Sequence, residues 1–506
     1  MLDDDPFDRA LLDHVRPADW KNPVPTGRYN LVVIGAGTAG LVTAAGAAGL
    51  GARVALVERA ELGGDCLNVG CVPSKALLRS AHAAAETRAA AALGVRGAST
   101  ATVDFEAVMR RMRAVRARIA PNDSVARFTG ELGVDVFLGE AHFAGGDEVA
   151  VGETRLRFKR AVIATGARPF VPPIPGLDDT GHLTNESVFD LRTLPRRLLV
   201  LGGGPIGCEL AQAFRRFGSE VTLVEMADRF LEREDPDAAG LLLDALRHDG
   251  VDVRLSTRLI RVERHGEHDR RAFVEHAGRE EAIPFDEILI AVGRSPNVDG
   301  LGLDAVGVEH DPQRGVHVDD HLRTRNPAIY AAGDVCMAHK FTHAADFAAR
   351  AVIQNALFAV GPFGRRRLSA LTIPWCTYTD PEIAHVGVSE QEAHHRGLAL
   401  DTYTAPLSDV DRAIAEGRET GFVKLHAEKG RDRILGATIV GHGAGDLISE
   451  VSVAMAGGVG LGALSSVIHP YPTTADAIRQ AAHGYTRSRL TPRVKRLFER
   501  WLAWRR

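Results

Sequence analysis

The sequence predicts an α/β fold with two Rossmann-like dinucleotide-binding domains in one chain and an α+β domain at the C-terminal end. Three observations carry this. The pattern strand, glycine turn, helix, strand, acid occurs over residues 29–58 and again over residues 197–225. Directly after the first copy come two cysteines five residues apart, Cys66 and Cys71, set among glycines and followed by Lys75. Beyond residue 420 the pattern changes to strands over 421–440 and a helix over 445–457.

Bulk composition narrows the function classes. The chain has 506 residues, 45% hydrophobic and 25% charged, which is ordinary for a multidomain globular protein. A net charge of −4 gives no footprint for nucleic acid. No apolar run reaches the length of a membrane span. The first residues are acidic (Asp3, Asp4, Asp5, Asp8), the opposite of a signal peptide. Five cysteines in so long a chain make no disulfide framework. A cytoplasmic location fits, where a Cys66/Cys71 disulfide would be catalytic rather than structural.

Residues 1–28 read as an arm with one helix over 7–15 and no legible role. Residues 29–34 form a buried strand, and Gly35-Ala36-Gly37-Thr38-Ala39-Gly40 follows at once. Gly35 allows the tight turn, Gly37 lets backbone approach a pyrophosphate, and Gly40 allows helix and strand to pack closely. Glu58, after the strand over 53–57, can accept hydrogen bonds from a ribose. The cysteine pair suits a disulfide–dithiol cycle. Zinc would take a shorter spacing and further ligands nearby. Residues 103–128 read as a helix rich in arginine (Arg110, Arg111, Arg113, Arg116, Arg118), best taken as a solvated face. Residues 134–143 read as one strand and 160–165 as another. The second glycine set is Gly202-Gly203-Gly204-Pro205-Ile206-Gly207, with a helix to 217, a strand over 220–224 and Glu225. An acid at Glu225 favours a dinucleotide with a free 2′-hydroxyl, although Arg229 and Arg233 leave room for a 2′-phosphate.

The stretch from Gly63 to Lys75 resembles the active-site motif of the flavin-dependent pyridine nucleotide-disulfide oxidoreductases, which include dihydrolipoamide dehydrogenase, glutathione reductase and mercuric reductase. The likeness runs from about residue 29 to 487. It implies FAD at the first fingerprint and a nicotinamide at the second (Gly202, Gly204, Gly207, Glu225). Cys71 would face the flavin and Cys66 the substrate. Lys75 would reach the flavin ring and pair with Glu209. Ala141, Thr165, Gly166 and Gly293 would lie along the cofactors. The string over residues 324–334 resembles the second flavin motif, giving Asp334 to the ribityl chain. A helix over 343–358 would point its N-terminus at the flavin. Residues 373–390 resemble the start of the dimerisation domain, so a homodimer is implied, with each site completed by its partner. The domains are expected at 1–28 (arm), 29–177 (FAD), 178–305 (NAD(P)), 306–368 (return to the FAD or central domain), 369–487 (dimerisation) and 488–506 (basic helix).

One stretch departs from the disulfide-reducing pattern. Those members place a histidine before a Pro-Thr and a glutamate five residues later. Here the order is His469-Pro470-Tyr471-Pro472-Thr473-Thr474-Ala475-Asp476. Registering on Pro472-Thr473 puts Tyr471 and Asp476 in those two positions. Tyrosine, with a pKa of about 10, is a poor base at neutral pH. Mercuric reductases also carry a tyrosine here, and the string Arg233-Glu234-Asp235-Pro236 looks closer to that branch. Their terminal vicinal cysteine pair is missing, however: no cysteine follows Cys376. The N-terminal metal-binding domain that many of them carry is not found either. Cys208, Cys336 and Cys376 read as core residues. The acceptor is expected to be a soft metal ion held by Cys66 and Cys71, or a disulfide. Dihydrolipoamide oxidation and a slow redox-responsive flavoprotein are the alternatives. The basic tail over 487–506 is amphipathic. It reads as a helix on the dimer body, with peripheral membrane contact the minority reading.

Overall fold

The computed structural model describes residues 5–97, 101–266, 269–361 and 363–506; Asp3 and Asp4 of the acidic start lie outside the described residues. Two compact units result, one from Met1–Val224 with Thr257–Leu371, the other from Glu225–Ser256 with Thr372–Arg506.

In the first unit the strand Arg28–Ile34 lies between Val54–Glu58 and Thr154–Ile163, parallel to both, with Val33 opposite Leu56 and Val162. Asp135–Leu138 extends this parallel sheet on one side, and Ile329–Ala331 joins it beside Thr154–Ile163. Strands buried on both faces read as continuous Val/Ile/Leu runs, and these do. The stretch over 134–143 is not one strand. It breaks at Gly139, whose φ of 148° ends Asp135–Leu138 before Ala141–Gly145 begins a hairpin. The second fingerprint builds its own parallel set. Arg197–Leu201 is flanked by Glu220–Val224 and Glu287–Ile290. The helix Pro205–Phe217 follows the glycine turn. A three-stranded antiparallel sheet, Thr257–Arg264, Arg270–His276 and Arg279–Phe285, precedes the last of these strands.

The arm has a role after all. Its helix Pro6–Val15 is capped by Asp5 and packs on the helix Phe105–Ile119. The arginines of that second helix are therefore not all solvated. Arg113 and Arg116 are buried, at 2% and 3% exposure, because Asp5 and Asp8 of the arm neutralise them. Arg116 meets Asp8 at 2.7 Å. A buried guanidinium needs such a partner, and here the carboxylates come from about a hundred residues earlier in the chain.

The second unit is an antiparallel sheet ordered Pro374–Thr377, Glu382–Gly387, Ile434–Gly441, Phe422–Glu428, Leu400–Pro406. The helices Ala444–Ala456 and Asp476–Ser488 pack on it. The Arg233-Glu234-Asp235-Pro236 string acquires a structural meaning here. Glu234 accepts a hydrogen bond from Trp375 Nε1 at 2.8 Å, and Asp235 pairs with buried Lys424 at 2.7 Å while capping the helix Pro236–His248. The terminal helix Pro492–Trp504 has no buried residue. Among the described residues no helix is long and apolar enough to cross a membrane.

Burial pushes Glu234 up from the ordinary 4.5 to about 7. The folded protein thus holds a proton there that the unfolded chain releases, so this residue's share of stability is present at pH 4 and lost as pH rises through about 7. Glu234→Gln should flatten that decline, on the order of 3 kcal/mol between pH 4 and 8. Denaturant midpoints of both proteins across that range check it; parallel profiles would contradict it.

Candidate redox site

Cys66 lies in the short helix Gly64–Asn68, and Cys71 is the first residue of the long helix Cys71–Ala89. The turn between them is tight. A side chain on Gly70 would come within 2.7 Å of the Asp65 carbonyl oxygen. This reversal brings the two thiols into hydrogen-bonding reach of each other. Cys71 Sγ also lies 3.3 Å from the hydroxyl of Thr342, the first residue of the helix Thr342–Ile353. Two helix starts therefore converge on one sulfur, and both favour negative charge there. Lys75 sits one helical turn on from Cys71 and adds a cation. Together the Cys66 hydrogen bond, the Thr342 hydroxyl and Lys75 lower Cys71 to about 6, against the opposing effect of burial. Cys66 moves the other way, since donating to Cys71 and being buried both hold its proton on. The two directions favour one thiolate, on Cys71, and one thiol, on Cys66.

Lys75 Nζ is 2.8 Å from the carboxylate of Glu209 on the helix Pro205–Phe217. Glu209 is buried, not solvent-facing, and the lysine is its counter-charge.

The backbone between the cysteines is clamped from outside. Arg116, held by Asp8, donates to the Asn68 carbonyl at 2.8 Å, and Asn185 donates to the Val69 carbonyl at 3.2 Å. The arm also touches the entry to this stretch, where Leu62 N donates to the Val15 carbonyl at 3.1 Å. Arg294 was not singled out by the sequence, though it follows Gly293. It donates to the Asp65 carboxylate and to the Ala167 carbonyl, and lies 3.7 Å from the Asp334 carboxylate. Asp334 is pushed upward by burial, with Arg294 and Lys340 opposing. A Gly-Arg pair closing a strand was the only available signal.

The two glycine turns divide their glycines by purpose. Gly35 (φ 101°) and Gly202 (φ 107°) need left-handed backbone, and a Cβ on either would strike a carbonyl oxygen at 2.4 or 2.6 Å. A Cβ on Gly40 or Gly207 would lie 1.8 or 2.0 Å from the carbonyl of the first glycine in its set. The chain's own packing explains those four. It does not explain the middle pair: a Cβ on Gly37 would meet only a backbone carbon at 3.8 Å, and one on Gly204 nothing within 4 Å. Both middle glycines precede helices whose N-termini carry no side-chain cap, so a bare cradle at each suits a pyrophosphate. Glu58 accepts from Ala36 N at 2.6 Å, which ties the acid to the first turn. Gly139 N donates to the Glu58 carbonyl, bringing the start of the hairpin at Ala141 to the same strand end. Thr165 and Gly166 are tied to Asn297 by hydrogen bonds of 2.7–3.0 Å, and the Gly293 carbonyl accepts from Phe170 N. Glu225 follows its strand and accepts from Ala227 N at 2.9 Å, while Arg229 and Arg233 are exposed.

In the second unit, Tyr471 is exposed and donates to the Asp411 carboxylate at 2.7 Å, which raises its pKa further. Asp476 accepts from Arg479 and Gln480 rather than from Tyr471, and Arg479 holds it low. The side chain of His469 is buried, with its ring nitrogens 2.9 Å from Glu450 and 3.2 Å from the Val467 carbonyl. Cys208 is fully buried, and Cys336 and Cys376 pack against core clusters.

Two dinucleotide cradles flanking a thiolate–thiol pair define a nucleotide-dependent dithiol redox protein. The chain belongs to the pyridine nucleotide-disulphide oxidoreductase family: that family's pattern matches residues 29–356, and its dimerisation domain matches residues 373–482. FAD and a pyridine nucleotide are its cofactors. The chain is 35% identical to a mercuric reductase of Lysinibacillus sphaericus over 454 residues, covering 90% of this chain and 82% of that one. It is 34% identical to a dihydrolipoyl dehydrogenase of Thermus scotoductus over 466 residues, covering 90% and 96%. Among solved structures, the Cu(II) complex of the HOCl-induced flavoprotein disulfide reductase RclA from Escherichia coli superposes with a TM-score of 0.80 at 29% identity, over 90% of this chain and 99% of that one.

Two expected outcomes follow from this geometry. Gly204→Ala should fold normally and keep its flavin, yet raise the KM for the pyridine nucleotide, whereas Gly207→Ala should not yield folded protein; expression, flavin content and steady-state kinetics distinguish them. Asp8→Ala should cost about 3–5 kcal/mol by leaving Arg116 buried without its carboxylate and Arg113 with Asp5 alone at 3.8 Å. A denaturant midpoint close to that of the parent protein would contradict the clamp.

Proposed function

We propose that the protein takes two electrons from NAD(P)H, with NADH preferred, and passes them through the Cys66/Cys71 pair to a soft divalent metal ion such as Hg(II). The observation that carries this reading is the state of Tyr471, which stands where disulfide-reducing members place a histidine and is held to Asp411 with its proton kept on. Dithiol substrates must lose a proton to be oxidised. Tyr471 keeps its proton more firmly than a free phenol, and both nitrogens of His469 face acceptors inside the chain. A soft metal ion needs no such base, because it replaces protons on sulfur directly. The name of the mercuric reductases supports the same acceptor class, and the RclA structure is a Cu(II) complex.

Bound FAD supplies the relay between the two-electron nicotinamide donor and the disulfide. The chain's residues do the rest. Gly37 and Gly204 would cradle the nucleotide pyrophosphates, Glu58 and Glu225 would accept from the riboses, and Asp334 would hold the ribityl chain. Ala141, Thr165, Gly166 and Gly293 line the cofactor sites. Lys75, kept in place by Glu209, supplies positive charge beside the flavin ring. Cys71 holds the thiolate, and Cys66 gives up its proton when a metal ion takes its place. Oxidation of the two thiolates to the disulfide releases two electrons, and Hg(II) accepts both to become the metal. In a homodimer, which the dimerisation domain supports, Tyr471 and Asp476 of the partner subunit would complete this centre, and the phenol could orient or ligate the metal. A cytoplasmic setting, with its reducing pool, suits the cycle.

The test is NADH oxidation by the FAD-loaded protein with Hg(II), and separately with lipoamide. Turnover with Hg(II) is expected, lost in Cys66→Ser and in Cys71→Ser. Tyr471→His should raise lipoamide turnover by about tenfold or more by restoring a base. Faster turnover of lipoamide than of Hg(II) by the unaltered protein would overturn the reading in favour of a dihydrolipoamide dehydrogenase.

A further inference from the structure

The helix Pro492–Trp504 lies beyond the matched dimerisation domain, which ends at residue 482. It is well made as a helix: Thr491 caps it through Val494 N, and Pro492 takes the first position. Such a helix within a globular unit normally buries one face. This one buries nothing, although its apolar side chains are large. Leu497, Phe498, Trp501, Leu502 and Trp504 are 52–77% exposed. At 3.6 residues per turn these five and Val494 share one side of the helix. Trp501 and Trp504 lie 5.2 Å apart at its C-terminal end.

The charges are arranged around that face. Arg493 and Lys495 border it on opposite edges, and Arg496 and Arg500 occupy the far side. From Arg493 to the last residue there are six cations and one acid, Glu499. The remainder of the chain is acidic enough to bring the net charge to −4, so this is a local concentration of positive charge. An apolar stripe with cations on both edges suits the boundary between lipid chains and anionic headgroups. The side chains enter the bilayer surface while the arginines and lysine stay at the phosphates, and tryptophan favours that depth.

We propose that this helix docks the protein onto the surface of a bilayer rich in anionic phospholipid, as a peripheral attachment that leaves the catalytic unit outside the membrane. A thirteen-residue helix of this kind gives reversible, salt-sensitive binding rather than permanent insertion.

The test is co-sedimentation of the FAD-loaded full chain with vesicles of phosphatidylcholine alone and of phosphatidylcholine with phosphatidylglycerol. Pelleting with the anionic vesicles is expected, roughly tenfold or more weaker with neutral ones, and reversed by high salt. Two of the four tryptophans lie in the helix, so emission should shift to the blue on binding. A chain ending at Thr491 should lose binding while retaining its oligomeric state and NADH oxidation. Trp501→Glu, which keeps the helix but charges its apolar face, should bind at least about tenfold more weakly. No pelleting of the full chain overturns the proposal. So does equal pelleting of the chain ending at Thr491. Dissociation of that shortened chain into monomers also overturns it, because the apolar face would then belong to a second copy.

Discussion

Everything in the redox unit depends on keeping a negative charge on Cys71. A free thiol keeps its proton at neutral pH, and no single neighbour here is strong enough to remove it. The fold brings several. Cys71 opens one helix, Thr342 opens another, Lys75 lies a turn away, and Cys66 donates from across a five-residue span. Each contribution is modest, on the order of 1 kcal/mol for a helix terminus. Their convergence makes Cys71 a nucleophile and ligand at neutral pH while Cys66 remains a thiol. The same asymmetry gives the two sulfurs different work.

That convergence needs elements distant in sequence to hold still. The arm supplies part of the restraint: Asp8 fixes Arg116, Arg116 fixes the Asn68 carbonyl, and Val15 fixes Leu62. Arg294 adds another tie, joining the acid beside Cys66 to the strand end at Ala167 and to Asp334. The redox stretch is thus pinned on both flanks while the thiols themselves stay reachable. Rigid backbone around a mobile proton and electron inventory is what preorganised chemistry requires.

Much of this was legible in the sequence because it is local. Gly40 and Gly207 answer to carbonyl oxygens five residues back and Gly35 and Gly202 to the left-handed backbone of the turn itself, so all four are written into any chain that makes those turns. The strand over 197–201 is buried from Leu198 onward and reads there as an unbroken apolar run. What was hidden is non-local. Arg113 and Arg116 look like a solvated face until Asp5 and Asp8, about a hundred residues earlier, are seen to cover them. Gly139 splits an apolar run that periodicity alone reads as one strand. Arg294 gains its meaning only from Asp65, 229 residues away. Tyr471 was found through its register in a known motif, but its hydrogen bond to Asp411 has no sequence signal.

The central claim is that Cys66 and Cys71 form a redox pair with its negative charge on Cys71. An anaerobic titration of the FAD-loaded protein with NADH tests it most directly. The protein should take up twice the electrons that flavin alone can hold. A long-wavelength thiolate-to-flavin absorption band should appear on reduction, fade as pH falls through about 6, and be missing in Cys71→Ser. Uptake of only the flavin's electrons, with no such band at any pH, would contradict the account.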